Sequence, residues 1–475
     1  MKIKFDDFRR GINRKNGDNL IGLKEAKMCY NFDFSGGDLK SSLPFRGEFS
    51  GKIGEEGSDD DFTGAESDFC GGAIFYFKKF DFESNIDASK LIYVSPTHKF
   101  FYLNLYESDA KFVPLDINFT SKPSAVNYRL DSEDVIIFSS PTDNMVVWDG
   151  VSEPQVVVDA PKITSMCLHS ERLFATTSGA SSEVWFSDDL DPTNWSVSLN
   201  DAGFIQLADE RGEAKKVVSY NGYVYIFREQ GISRLSASGG QEEFFLSHLF
   251  VSSGKIFGKT IALCGDKIVF VASDGIYLFN GSDTTKILED TGGLIEVSQN
   301  SSAVYFNGKY YLSCHIDFGD DNYDDTDTEC NAIFVLDAES REYFIYRGIS
   351  AQSMAVVKMR EDYKLVLLNG ASDGSLENMF LVNSDESMPC RAKYITGLYD
   401  FGEASTFKTV RKVVAGLKSG ESATIQVFNE EGEAVSVEVE VGTNLTPIII
   451  SGKSFGFCIE ADEGVVFESL LLEVF

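Results

Sequence analysis

Four histidines, His98, His169, His248 and His315, are all the imidazole that 475 residues supply. Cys167 stands two positions before His169, which on a strand puts both side chains on one face, and Cys314 directly precedes His315. Zinc needs three or four such ligands, and neither pair comes with the rest, so no metal site and no cofactor is expected. Gly370 to Gly374 reads Gly-Ala-Ser-Asp-Gly, the GxSxG pattern in which a strained strand-to-helix turn exposes a nucleophilic serine. No helical pattern follows it and no histidine lies beyond His315. A β-turn is therefore the expected reading.

The densest carboxylate run is DFGDDNYDDTDTE, Asp317 to Glu329. A calcium loop of the EF-hand type takes glycine at its sixth place, and counting from Asp320 that place holds Asp325. An exposed insertion at a hairpin tip is expected instead. FSDDLDPTNW, Phe186 to Trp195, carries the Ser, Asp and aromatic ingredients of an Asp-box turn, but only once and without its glycine. Trp185, directly before this stretch, and Asp189 and Trp195 within it are the candidate contacts for a glycan, as an exposed aromatic platform with acids beside it. No GxxxxGK[ST] or GxGxxG segment follows a strand and opens a helix. Nothing assembles a catalytic set, so no enzyme is expected.

The elements that would position these residues are strands. From about residue 73 an apolar alternating strand, a turn and a second strand recur, the beat of serial hairpins. The leading strands are LIYVS at Leu91, VIIFSS at Val135, RLFATT at Arg172, YVYIFR at Tyr223, KIVFVA at Lys267, KYYLSC at Lys309 and KLVLLN at Lys364. Their starts are 44, 37, 51, 44, 42 and 55 residues apart by subtraction, close to the length of one four-stranded propeller blade. Radial closure also removes the open edges that such an array would otherwise expose. The expected fold is all-β, with a propeller of six or seven blades.

Both ends read differently. Residues 1 to 50 hold one short helical pattern, Leu23 to Asn31, and too few apolar residues for their own core, so they are expected to form an N-terminal arm packed on a larger body. After Pro389 strict alternation returns in TIQVFNEEG, AVSVEVEVG, FGFCIEAD and VFESLLLEVF, each apolar on one face only. The expected division is an arm over 1–50, a propeller over 51–390 and a C-terminal β-sandwich over 391–475.

With 74 Asp and Glu against 42 Lys and Arg, the net charge is -32. That argues against a grip on nucleic acid or on an anionic membrane, both of which need clustered Lys and Arg. Eight cysteines are scattered without CxxC spacing and read as buried free thiols. The N-terminus has no apolar signal core, and no run reaches the 18 or so apolar residues of a membrane span. Folding in a reducing cytoplasm is expected.

Two stretches resemble the β-propeller structural proteins of tailed bacteriophages. GINRKNGDNLIGLKEAKMCYNFDFSGGDLKSSLPFRG is similar to the segment that opens those chains, and SERLFATTSGASSEVWFSDDLDPTNW with GFIQLADERGEAKKVVSYNGYVYIFREQGISRL is similar to one of their blades. The part from Tyr394 looks like the sandwich that often closes them. The resemblance implies a virion part with no reaction: a tail nozzle or tail ring subunit, assembled in the host cytoplasm, that helps retain and eject packaged DNA. Its partners would be copies of itself in a ring, other tail or head-tail connector proteins, and DNA passing an acidic bore without sequence-specific binding. A receptor- or glycan-binding propeller and a glycan-degrading enzyme are the alternatives.

Overall fold

The computed structural model describes all residues except 18, 19, 35, 51–71, 83, 108–110, 200, 201, 292, 299, 319–329, 350, 360, 369–376 and 383–385. Seven four-stranded antiparallel sheets follow one another along the chain and form the blades of a β-propeller. Among the described residues the only helical elements are 3-10 turns such as Gly258–Thr260. The innermost strands of blades 1 to 7 are Ala73–Phe77, Ser124–Leu130, Ile163–His169, Ala214–Tyr220, Ala262–Cys264, Ser302–Phe306 and Ser353–Met359. Ser353–Met359 packs against Ala73–Phe77, which brings blade 7 beside blade 1.

The seven strands that lead the sequence repeat are the second strands of the blades, not the first. Arg172–Thr177 is buried at every position and Lys309–Cys314 at all but its first, whereas Ser302–Phe306 is half-buried throughout. A second strand has a neighbouring blade on both faces and so reads as a continuous apolar run. The innermost strand borders the axial channel and mixes polar with apolar residues, which hid it in the sequence.

Cores lie between consecutive blades. Phe100, Phe138 and Trp148 fill the gap between blades 1 and 2, and Phe227 meets Phe270 edge-on at 5.5 Å between blades 4 and 5. Each such ring contributes about 2–3 kcal/mol through burial alone.

Blade 7 is composite. Its strands Ser353–Met359, Asp362–Leu368 and Glu377–Val382 take their fourth from the start of the chain, Phe45–Ser50, with Phe45 opposite Val382. The ring is thus fastened by pairing between residues 327 to 337 apart by subtraction, and the end of the expected arm is a propeller strand.

The rest of residues 1 to 50 is woven into the C-terminal sheet. Lys2–Phe5 pairs with Val466–Val474, Ala26–Tyr30 with Arg391–Thr396, and Leu39–Ser41 with Val466–Val474. The helix expected over Leu23 to Asn31 is corrected to a strand. A register shift between Ala26 and Met28 sends Ala26 and Cys29 inward together, and a bulge of this kind imitates helical spacing in sequence.

The C-terminal sheet is organised by Lys408–Asn429, 22 residues long. One side pairs along its length with Ala434–Gly452, and the other pairs first with Val466–Val474 and then with Phe455–Asp462. The change of partner falls at Gly420, where φ is 103° and a Cβ would meet Val465 Cγ2 at 2.6 Å. Only glycine fits that turn of the strand.

Candidate functional site

The 186–195 segment folds on itself. Asp188 Oδ2 accepts from Asn194 Nδ2 at 2.8 Å, and Asp191 Oδ1 accepts from both the amide and hydroxyl of Thr193 at 2.9 and 2.6 Å. The Trp195 indole donates to the Pro192 carbonyl at 2.9 Å, and its side chain is 2% exposed. The expected exposed Trp195 is therefore corrected: it packs in the core between blades 2 and 3. Trp185 is half-buried, donates to Glu183 at 2.9 Å and lies against Phe204 with ring centroids 5.1 Å apart. Asp189 is exposed, 3.9 Å from the Arg172 guanidinium.

A Ser, His, Asp chain that the sequence did not announce exists in blade 4. Ser233 Oγ lies 2.9 Å from His248 Nδ1, and His248 Nε2 lies 3.0 Å from Asp209 Oδ2. A nucleophile must be reachable, and Ser233 is fully buried. Asp209 also holds Arg211 at 2.9 Å and the buried Arg228. Burial works against its charge, but the Arg211 amide and the two guanidinium groups outweigh it and hold its carboxyl below the ordinary range. This cluster ties the edge of blade 4 together and leaves no route for a substrate to the serine.

The remaining sequence candidates stay apart. His169 sits beside Ser219 Oγ at 2.9 Å, and burial lowers its pKa. Burial pushes the Cys167 and Cys264 thiols up to about 12, which removes them as nucleophiles. The seven described cysteines are free, and no group of three or more His, Cys, Asp or Glu among the described residues is placed to hold a metal ion. Gly370 to Gly374 and residues 319–329 lie outside the described residues. The strands flanking each of them pair as antiparallel neighbours.

Two surface features stand out. At the N-terminal ends of the innermost strands the axial channel opens into a cavity of about 960 Å³ to which all seven blades contribute. The charged side chains on its described wall are Lys122, Lys215, Lys216 and Lys259, with no carboxylate among them. Lys215 and Lys216 are neighbours in the innermost strand of blade 4, but Lys122 and Lys259 come from other segments, so no motif in the sequence marks the four as a set. The second feature is Ala434–Gly452, a 19-residue strand that pairs with Lys408–Asn429 alone among the described strands. It exposes Val441, Leu445 and Ile449, the last at 80%.

No helix among the described residues is long and apolar enough to cross a membrane. No protein-family model and no curated protein matches the chain. Among solved structures, it is similar to BBS1N, crystallised in complex with ARL6DN, at 7% identity and a TM-score of 0.46, over 73% of this chain and 99% of that one. PorZ, a surface component of the type-IX secretion system of Porphyromonas gingivalis, gives 10% identity and a TM-score of 0.41 over 83% of this chain and 46% of its own. Hsv2p of Kluyveromyces lactis gives 10% identity and a TM-score of 0.32, over 55% of this chain and 81% of that one. The chain itself is an all-β protein built on a seven-bladed propeller.

Proposed function

We propose that this chain is a structural subunit of a tailed-phage virion, a tail nozzle or tail ring part that helps retain and eject packaged DNA and carries out no reaction. The single observation that supports assembly best is the strand Ala434–Gly452. A long strand edge with exposed Val441, Leu445 and Ile449 offers unpaired backbone groups and apolar contacts to another chain. The resemblance of the opening segment and of the blade 3 region to phage propellers supplies the class of particle. The net charge of -32 suits a bore formed between subunits, because like charge keeps DNA from adhering as it passes.

The purified chain should form ring-shaped oligomers in electron micrographs, and antibodies to it should label the tail of intact particles. Leu445→Lys combined with Ile449→Lys should disperse the rings without loss of the β-sheet circular dichroism signal. A chain that stays monomeric at high concentration, or rings indifferent to both substitutions, would remove the edge strand as the means of assembly. A ring bore lined by Lys and Arg would remove the DNA-handling part.

A second reading, contact with a glycan, is favoured by the Trp185 and Phe204 pair, since Phe204 is 42% exposed and Trp185 is partly accessible. Trp185→Ala should then abolish retention on immobilised host polysaccharide. Equal retention of wild type and variant would end that reading.

A further inference from the structure

The channel mouth runs against the composition of the chain. In a protein with 74 acids and 42 bases, the wall of the cavity carries lysines and no described carboxylate. Lys122 precedes the innermost strand of blade 2, Lys216 lies in that of blade 4, and Lys259 sits in the 3-10 turn Gly258–Thr260 that leads into blade 5. Lys122 Nζ donates to the Gln352 carbonyl at 2.8 Å and Lys216 Nζ to the Ile261 carbonyl at 2.7 Å. An ammonium group has three donors, so each of these two lysines retains donors beyond its backbone contact. Ser302 adds a hydroxyl to the wall, whereas those of Ser121, Ser124 and Ser301 are engaged with Thr142, the Ser139 carbonyl and Cys330.

Neutral carbonyl acceptors orient these two ammonium groups without cancelling their charge. Desolvation lowers the pKa of both to about 8, and for Lys122 the nearby charge of Lys259 lowers it further, with a small opposing influence from Cys330. Crowded cations in a recess shielded from bulk water attract an anion strongly, because the ligand relieves both repulsion and lost hydration.

We infer that this mouth of the propeller channel is a binding site for a small, multiply charged oxyanion of the phosphate or polycarboxylate class, held by Lys122, Lys216 and Lys259. The cavity of about 960 Å³ is large enough for a small ligand of that kind. The site is independent of the edge strand and of the assembly role proposed above.

The test is calorimetric titration of the full chain with pyrophosphate and with citrate, at constant ionic strength and against chloride as control. At least one of the two should bind with a single-site isotherm and raise the melting temperature, and the one that binds tighter identifies the source of the anion as phosphate or carboxylate. Lys122→Met with Lys216→Met should weaken that binding at least tenfold, whereas Lys122→Arg, which keeps the charge, should stay within about threefold of wild type. No heat beyond the chloride control from either probe overturns the site on wild-type protein alone. Undiminished binding in the double variant overturns its location.

Discussion

Asn31 clasps Arg347 by its main chain: Asn31 Oδ1 accepts the Arg347 amide at 2.8 Å, and Asn31 Nδ2 donates to the Arg347 carbonyl at 3.2 Å. The same Nδ2 reaches the Arg391 carbonyl at 2.9 Å, and the Asn31 amide donates to Ile345 at 2.9 Å. One fully buried side chain thereby joins the N-terminal segment to the outer strand of blade 6 and to the first strand of the C-terminal sheet. Its φ of 56° is a conformation that asparagine tolerates better than most residues. Asn31→Ala should cost about 2–4 kcal/mol, since it leaves buried backbone groups unpaired. The check is a urea transition beside that of Asn31→Gly, which relieves the backbone but not the lost bonds; equal stability of wild type and both variants would refute the clasp.

Tyr343 performs a similar service for Ile12. Its hydroxyl accepts the Ile12 amide at 2.6 Å and lies 3.2 Å from the Ile12 carbonyl, to which it donates. Tyr343→Phe should lower stability by about 1–3 kcal/mol and speed amide exchange at Ile12, readable by hydrogen-exchange mass spectrometry.

Asp143 bears on acid stability. Burial opposes its charge, yet bonds from Ser140, Thr120 and Thr142 bring its pKa down to about 2 from 3.8. A carboxylate with a depressed folded pKa contributes stability above its unfolded value and loses that contribution as pH falls from about 4 through 2. Asp143→Asn should therefore cost about 1 kcal/mol at pH 7, after allowance for solvent screening of a half-buried group. The difference from wild type should shrink toward zero near pH 2, followed by thermal melts across that range.

Lys216 works in the opposite sense. Desolvation brings its pKa to about 8 from 10.5, so its charged form destabilises the fold fully below pH 8, and that penalty fades as pH rises from 8 toward 10.5. In the absence of anions Lys216→Met should stabilise the protein at pH 7 by on the order of 1 kcal/mol, discounted because the side chain keeps some access to the channel. The gain should vanish near pH 10.5; a constant gain across that range would mean that packing, not charge, sets it.

Trp148 and Trp195 are 3% and 2% exposed, whereas Trp185 keeps partial exposure. Iodide should quench the fluorescence of a variant retaining Trp185 alone, and leave a variant retaining Trp195 alone nearly untouched. The reverse order would contradict the packing of the blade 3 turn.

What was legible in the sequence followed burial. Strands packed on both faces, such as Tyr223–Arg228 and Lys267–Ala272, announced the blades, and the strict alternation of TIQVFNEEG and AVSVEVEVG announced the paired C-terminal strands. The innermost strands were missed because their channel-facing positions interrupt the apolar pattern. The fourth strand of blade 7 was missed because its paired residues lie 327 to 337 positions away by subtraction, and no local spacing encodes a closure of that kind. Trp195 was read as exposed because its neighbours are polar, but those acids and amides bond to one another and turn the indole inward. Lys122, Lys216 and Lys259 are brought together by the ring alone.

The fastening of blade 7 by Phe45–Ser50 also sets a timetable. A ribosome delivers that strand long before Glu377–Val382 exists, and at synthesis rates of roughly 5–20 residues per second the wait is on the order of tens of seconds. During that interval the nascent chain is an open arc with unpaired strands at both ends, the state most exposed to wrong pairing with other chains. Only a chain translated past residue 382 can pair Phe45 with Val382 and lock the ring, so a product truncated before that point keeps the edges of its end blades open.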